Sequence, residues 1–249
     1  MSQELQGRIA LVTGASSGIG WATALAFAKA GAKVAIAARR RDRLDALAAQ
    51  IREGGGEALI VTADFGIEAE AQRAVRETEH AFGRLDILVN NAGVMYLEPV
   101  IEADLARWRH MFEINVLGLI AATQAALPGM RARSDGHIVN ISSTAGRIAT
   151  ATAAAYAGTK FAVVAFSEAL RKEVYGDRIR VSVIEPGVVE TELRDHIGHP
   201  ATQKAINDWA DSMRQLQADD VARAILFCVS QPSHVCINEI LMRPTDQER

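Results

Sequence analysis

The sequence is short of several things, and each shortage narrows what the chain can do. Only 2 of its 249 residues are cysteine. Cys228 and Cys236 lack C-x-x-C spacing and are flanked by apolar residues. That excludes a disulfide scaffold, and two buried free thiols suit a reducing cytoplasm, the expected location. The 6 histidines are scattered with no pair at metal-ligand spacing, so no metal is expected. Excess charge of one sign is missing too, since 27 Lys and Arg face 30 Asp and Glu for a net charge of −3. Neither nucleic acid nor an anionic membrane has an electrostatic case as partner. The N-terminal stretch Met1-Ser2-Gln3-Glu4-Leu5-Gln6-Gly7 has no apolar core of the signal-peptide kind. No uninterrupted apolar run reads as long enough to cross a bilayer. No Pro-rich linker, charge block or internal repeat divides the chain, so residues 1–249 read as a single domain.

What is present is a regular alternation. With 49% hydrophobic and 23% charged residues, the composition is that of a globular α/β domain. Apolar runs alternate with amphipathic stretches, the pattern of a parallel sheet covered by helices. Strands are expected at 9–13, 33–38, 58–63, 87–90, 137–142, 180–185 and 238–242. Helices are expected at 19–30, 42–53, 67–82, 103–130, 154–175 and 218–230. Gly31 and Gly54-Gly55-Gly56 stop the first two helices as C-terminal caps. One long stretch, 189–213, has weak periodicity and is expected to be a lid over the site. Within it, Ile206, Trp209, Ala210 and Met213 fall at helical spacing and form an apolar stripe.

Thr13-Gly14-Ala15-Ser16-Ser17-Gly18-Ile19-Gly20 joins the first strand to the first helix. Glycines there let the backbone approach a pyrophosphate, and the helix start offers free N–H groups and a positive dipole end. The spacing is G-x-x-x-G-x-G, one residue longer before the middle glycine than the usual dinucleotide fingerprint. The second strand ends Ala37-Ala38-Arg39-Arg40-Arg41, with no carboxylate before Asp42. An acid there binds a ribose 2′-OH, whereas arginine binds a 2′-phosphate bidentately. The bland reading is a solvated helix start, but arginine is disfavoured at that end of the dipole. NADP(H) is therefore the expected cofactor. Asp64, after the third strand, has two readings: an acceptor for an adenine amino group, or a helix cap.

Tyr156 and Lys160 stand four apart, and Ser143 lies one loop upstream. A helix puts positions i and i+4 on one face, so a phenol and an ammonium become neighbours. A nearby cation lowers a phenol's pKa from about 10, and a tyrosine so tuned can exchange a proton with an alcohol oxygen. Asn115 falls inside an expected long helix, where asparagine is a poor residue, which hints at a specific role. The competing reading for Asn115 is a solvent-facing helix position.

Together these residues resemble the classical short-chain dehydrogenase/reductase family along essentially the whole chain. The segment Thr13 to Gly20 matches its cofactor turn, and Asn90-Asn91-Ala92-Gly93 matches the motif after its fourth strand. Asn115, Ser143, Tyr156 and Lys160 match its catalytic tetrad, with the family's spacing selecting Ser143 over Ser142. Pro186-Gly187 followed by Thr191 matches the segment that closes over the nicotinamide. The resemblance implies a single-domain Rossmann fold, a doubly wound seven-stranded parallel sheet with helices on both faces. The cofactor half would span about 1–135 and the catalytic half about 136–249.

Cofactor contacts are implied at Gly14, Ser16, Ser17, Gly18, Ile19, Gly20, Arg39 and Arg40, then at Asp64, Phe65, Asn91, Ala92 and Gly93. In the second half they are implied at Tyr156, Lys160, Pro186, Gly187, Val189 and Thr191. A closer similarity is to the branch holding NADP-dependent 3-hydroxy acid dehydrogenases and reductases of clavulanic aldehyde. It rests on Ala37-Ala38-Arg39-Arg40, Glu185-Pro186-Gly187, Thr191-Glu192-Leu193-Arg194-Asp195-His196-Ile197 and the tail from Val235 to Thr245. Trp21 and Phe65-Gly66 depart from the family's usual residues, and neither touches the tetrad.

The activity implied is interconversion of a carbonyl and an alcohol by hydride transfer, with a small molecule as substrate. Two rivals stand beside it. An epimerase or dehydratase of nucleotide sugars also uses Y-x-x-x-K but carries a larger C-terminal substrate domain than the residues after Pro186 allow. An NADP-sensing or scaffold protein would keep the fold without turnover. Arg194, His196, His199 and Lys204 are candidates to meet an acidic substrate, or else line a solvated lid surface. Helices around 103–130 and 154–175 are apolar on more than one face, with Val163, Val164 and Phe166 as examples. Self-association is expected from that, and the family resemblance implies a homo-oligomer, dimer or tetramer.

Overall fold

Strand-length runs of Val, Ile, Leu and Ala, such as Ile9–Thr13 with all five residues buried, can only sit in a sheet covered on both faces. The computed structural model describes residues 4–248; Met1, Ser2 and Gln3 of the N-terminal segment read above, and Arg249, lie outside the described residues. Its strands are β1 (Ile9–Thr13), β2 (Lys33–Ala38), β3 (Glu57–Thr62), β4 (Ile87–Asn90), β5 (Gly136–Ile141), β6 (Ile179–Pro186) and β7 (Glu239–Met242). They pair in parallel in the order β3-β2-β1-β4-β5-β6-β7. The chain order reverses between β1 and β4, and such a switch point opens a crevice at the strands' carboxyl ends.

Helices α1 (Gly18–Lys29), α2 (Arg41–Glu53), α3 (Glu68–Phe82), α4 (Leu105–Phe112), α5 (Leu119–Arg133), α6 (Ala154–Val174), α7 (Pro200–Asp211) and α8 (Ala218–Val229) complete the fold. Side chains alternate across the sheet, so Val12 and Leu11 serve opposite cores. On one face Phe27, Leu47 and Ile225 from α1, α2 and α8 pack with Val12, Ile36 and Ile184. On the other, Val75, Met130 and Leu170 from α3, α5 and α6 pack with Leu11, Leu88 and Ile138. This is the expected doubly wound Rossmann architecture, in one domain.

Two expectations need correction. The helix expected over 103–130 starts at Leu105, because the Asp104 carboxylate caps it by accepting from the Ala106 amide at 2.9 Å. It is also interrupted by a π segment, Glu113–Gly118. Gly118 presses on the chain after β3: a methyl there would fall 1.9 Å from the Phe65 carbonyl oxygen. The wider π turn places Ile114, Asn115 and Gly118 in buried positions. By length and mean composition the helical path Leu105–Arg133 is apolar enough to cross a membrane, although Asn115, Thr123 and Gln124 interrupt its apolar run. Half of its apolar window is buried inside the fold, where it acts as a core helix.

The second correction concerns the faces proposed for self-association. Val163 is buried, and Phe166 packs against the core with Leu170 and Val174, so both serve the chain's own sheet. The large apolar side chains exposed along 103–130 and 154–175 are Leu105, Phe112, Leu117, Phe161 and Tyr175.

Gly118→Ala should destabilise the protein by about 1–3 kcal/mol, the usual range for forcing a methylene into a packed site. A urea titration measures it, and an unchanged midpoint would show that the π segment does not need the close approach to Phe65.

Candidate active site

The crevice at the switch point is a cleft of about 700 Å³. Its floor is fixed by a polar clasp between the ends of β1 and β4. The buried Thr13 hydroxyl accepts the amides of Asn91 and Ala92, both at 2.9 Å, and donates to the Val89 carbonyl at 3.2 Å. The Asn91 side-chain amide returns to the carbonyls of Thr13 and Gly14 at 2.9 and 3.2 Å. Gly14 has φ +65°, and a Cβ on it would meet the Ala92 Cα at 2.8 Å, so only glycine fits. Ser16, Ser17, Gly18 and Ile19 continue this turn along the cleft wall, together with Asn91, Ala92 and Gly93. Gly20 lies behind the wall instead, packed with no room for a Cβ against the Gly14 carbonyl and the Asn91 amide.

At the β2 end of the cleft stand Ala38, Arg39 and Arg40, with Asp64 and Phe65 across from them. Arg40 folds back over the glycine turn, donating to Ser16 Oγ from Nε at 3.2 Å and from Nη2 at 3.0 Å, and to Ser17 Oγ at 2.8 Å. Arg39 is more than half exposed, with its nearest anion, Asp64 Oδ2, at 3.8 Å. Asp64 Oδ1 also accepts from the Gly66 amide at 2.9 Å, so Asp64 organises its own loop as well as lining the cleft. No carboxylate follows β2 before Asp42. This donor-rich end suits a phosphate on a ribose 2′ oxygen.

The other end is built by β5, α6 and the segment after β6. Ser142 and Ser143 divide into two roles. Ser142 is buried and donates to the Lys160 carbonyl at 3.0 Å, tying the strand end to α6. Ser143 faces the cleft, donates to the Pro186 carbonyl at 3.3 Å, accepts from the Ala145 amide at 3.1 Å and hydrogen-bonds to the Tyr156 phenol. Lys160 Nζ donates to the Ile141 carbonyl at 2.9 Å and lies 5.6 Å from the centre of the Tyr156 ring.

Burial decides the ionisation here, which differs from the sequence expectation. Desolvation pushes the Tyr156 phenol up to about 12, against a smaller lowering from the Ser143 hydrogen bond. Desolvation likewise pushes the Lys160 ammonium down to about 8. Both groups are 8% exposed or less, so water stabilises neither charge.

Asn115 does not line the cleft. Its side chain clamps Val94 from behind, accepting the Val94 amide and donating to the Val94 carbonyl, both at 2.9 Å. It also donates to Thr159 Oγ1 at 3.2 Å, on the turn of α6 that carries Lys160. Pro186, Gly187, Val189 and Thr191 line the cleft as expected.

Of the four basic side chains in segment 189–213, Arg194 and His196 reach the cleft. His199 caps α7, accepting the Thr202 amide at 3.2 Å, and Lys204 pairs with Asp208 one helical turn on. Ile206, Trp209 and Ala210 of α7 do line it, and Met213 does not.

Sequence reasoning missed several residues. Arg147 forks onto the fully buried Glu185 at 2.8 and 2.9 Å and anchors the loop after Ser143 to β6. Gln247 reaches back from the C-terminal tail, accepting the Val188 amide at 2.9 Å, and with Glu248 it lines the cleft. Neither contact has a local signal, because the partners lie 38 and 59 positions away.

Comparison with known proteins agrees with this construction. The short chain dehydrogenase family matches residues 8–202, well over half the chain. An oxidoreductase of Staphylococcus saprophyticus is 35% identical over 242 residues, covering 96% of this chain and 97% of that protein. The glycine betaine reductase ATRR of Emericella nidulans is 37% identical over 245 residues; the match covers 98% of this chain but spans only 19% of that much longer protein. Among solved structures, the closed form of a serine dehydrogenase complexed with NADP+ superimposes with a TM-score of 0.89 at 34% identity, covering 97% of this chain and 96% of that one. Sheet order, glycine turn and sequence similarity agree, and the chain belongs to the short chain dehydrogenase family of oxidoreductases.

Proposed function

We propose that this protein is an NADP(H)-dependent oxidoreductase that interconverts a ketone or aldehyde and an alcohol, with Tyr156 as the acid/base. The observation that carries the reading is the joining of two ends in one cleft: Ser143, Tyr156 and Lys160 at one, Arg39 and Arg40 at the other. The serine dehydrogenase of similar fold holds NADP+, and the residues here fit that cofactor. Arg39, Arg40, Ser16 and Ser17 would hold the 2′-phosphate. The turn from Gly14 to Ile19, with the N-terminus of α1, would hold the pyrophosphate.

NADPH, when bound, supplies the hydride. The chain supplies the rest. Ser143 hydrogen-bonds to the carbonyl oxygen, and Tyr156 gives it the phenolic proton. Lys160 sets its charge against the phenolate left behind and holds the nicotinamide ribose. Asn115 keeps Val94 and Thr159 in place beside Lys160, where it would order a water leading from the ammonium to solvent.

The substrate end is mainly apolar, with Val94, Met95, Leu97, Ile148, Ile206 and Trp209 on its walls, Arg194 as its cation and His196 beside it as a further polar group. This favours a carbonyl compound with an anionic group, such as a 3-oxo or 3-hydroxy acid or a clavulanic-aldehyde-like compound. The likeness to a serine dehydrogenase supports the same class. Leu105, Phe112, Leu117 and Phe161, exposed on α4, the π segment and α6, favour a homo-oligomer built on those helices.

Four outcomes check the reading. Tyr156→Phe should lower kcat by at least about 10²-fold with NADPH still bound, since general acid catalysis contributes that much. In the unmodified enzyme, carbonyl reduction should hold a plateau at low pH and fall as pH rises through about 8, where Lys160 loses its charge while Tyr156, at about 12, keeps its proton. Near-normal turnover by Tyr156→Phe would remove the proton donor. Arg39→Ala should weaken NADPH binding about ten- to hundred-fold, the cost of one charged hydrogen-bonding pair, and leave NADH unchanged. Light scattering at micromolar concentration should give an oligomer's mass, and a monomer's would contradict the helix-face assignment.

A further inference from the structure

The donors assigned above to a 2′-phosphate already hold an anion from the chain itself. Arg40 Nη1 donates to Glu192 Oε2 at 2.8 Å while the rest of the guanidinium grips Ser16 and Ser17. Arg43 Nη2 approaches the other carboxylate oxygen, Oε1, at 3.7 Å. The Ser17 hydroxyl also hydrogen-bonds to Glu192, and these donors hold its pKa below the usual carboxylate range. A planar anion cupped by an arginine fork and a serine hydroxyl is bound by the same chemistry as a phosphate monoester.

Glu192 does not belong to the cofactor half. It opens the 3₁₀ turn Glu192–His196, 152 positions from Arg40. Thr191 caps that turn, and its methyl carbon lies 3.0 Å from where a Cβ on Gly18 would stand. The start of segment 191–196 therefore rests on the glycine turn and is tied to the phosphate end of the cleft. Glu192 and Arg40 are each about two-fifths exposed, so a hydrophilic ligand has access to the pair.

We propose that Glu192 is an intramolecular competitor for the 2′-phosphate site, whose carboxylate holds Arg40 and Ser17 until a cofactor phosphate displaces it and frees the first turn of segment 191–196. The proposal rests on the NADP(H) reading and assigns a specificity-determining residue to it. Two anions on one guanidinium repel, so phosphate and carboxylate cannot both keep full contact. A cofactor without the phosphate leaves the carboxylate in place. Competition of this kind multiplies the apparent Kd for NADP+ by one plus the equilibrium constant of the internal contact. Exposed ion pairs are weak, so the factor is about two- to tenfold. By linkage, whatever binds the phosphate site loosens residues 192–196 by the same factor.

Isothermal titration of the full chain and of Glu192→Gln tests this without turnover. NADP+ and 2′,5′-ADP, which carries the phosphate but no nicotinamide, should each bind the variant about two- to tenfold more tightly, and NAD+ should bind both proteins equally. Unchanged or weakened NADP+ affinity in the variant would overturn the proposal, as would equal tightening of NAD+. If neither protein binds NADP+, the cofactor assignment falls along with it. Equal NADP+ affinity in both proteins removes this proposal alone. A second measurement needs no variant: in the unmodified protein, 2′,5′-ADP should speed amide exchange across 192–196 and 5′-AMP should not. The same exchange with both nucleotides would also overturn it.

Discussion

A single hydroxyl organises the functional face of this fold. Thr13 Oγ1 accepts two backbone amides from the start of the loop after β4 and donates to the carbonyl of Val89 within it. At 1% exposure, Thr13 has no water to replace a lost partner, so each contact must be kept within the protein. The Asn91 amide closes the ring by returning to the carbonyls of Thr13 and Gly14. The consequence is geometric. Where the strand order reverses, two chain segments would otherwise diverge with unpaired backbone groups, and the clasp pairs them while leaving the crevice open. The glycine turn departs from one side of this fixed point. The stretch Gly93-Val94 departs from the other, and Asn115 clamps it from behind.

The chemical end of the cleft depends on a second division of labour. Neighbouring residues on a strand point to opposite sides. At the end of β5 that separates a buried structural serine from one that faces the cleft. Ser142 fixes α6 through the Lys160 carbonyl, and Ser143 meets Tyr156. The ammonium of Lys160 donates a hydrogen bond to the Ile141 carbonyl, which holds it over the tyrosine ring, 5.6 Å from the ring centre. With both groups buried, the site favours neutral tyrosine and an ammonium ready to lose its charge. Charge arriving in the cleft, such as an oxidised nicotinamide, then acts on groups that solvent cannot screen.

What the sequence makes legible follows from the range of the forces involved. Strands β1, β2, β4, β5 and β6 are buried along almost their whole length and read as apolar runs, while the edge strands β3 and β7 are partly exposed. All seven fall within a residue or so of the expected boundaries. Y-x-x-x-K and the glycine turn are local in sequence, and their geometry follows from one helix or one turn. The π segment was not legible, because it depends on the Phe65 carbonyl pressing on Gly118 from a different part of the chain. Helix α7 was only half legible: its apolar stripe showed, while the cap by His199 and the proline in its first turn lay in what read as a polar loop. Apolar excess on α6 was visible, but its destination was not. Val163 turned to the sheet, and Phe161, at 44% exposure, turned out. Periodicity shows that a face is apolar and leaves open which surface covers it.

The segment after Pro186 shows why its attachments matter for function. It is fastened by contacts from distant parts of the chain: Gly187 to the Met242 carbonyl at 2.8 Å, Val188 to Gln247 at 2.9 Å, and Val188 and Glu190 to Leu216 at 3.0 and 2.9 Å. Arg40 holds Glu192, and Arg107 donates to the His196 carbonyl at 3.1 Å. Apolar anchoring is confined to a few positions, chiefly Ile197 and Ala210. Polar contacts at the surface trade readily for water or for a ligand, whereas buried apolar anchors do not. The segment is therefore ordered by its apolar anchors and adjustable through its polar ones. Those polar contacts reach the cleft at Arg40 through Glu192 and again on its wall through Val188 and Gln247. Under the Glu192 exchange proposed above, such a segment has a physical route by which an occupant of the cleft changes the partners that hold it.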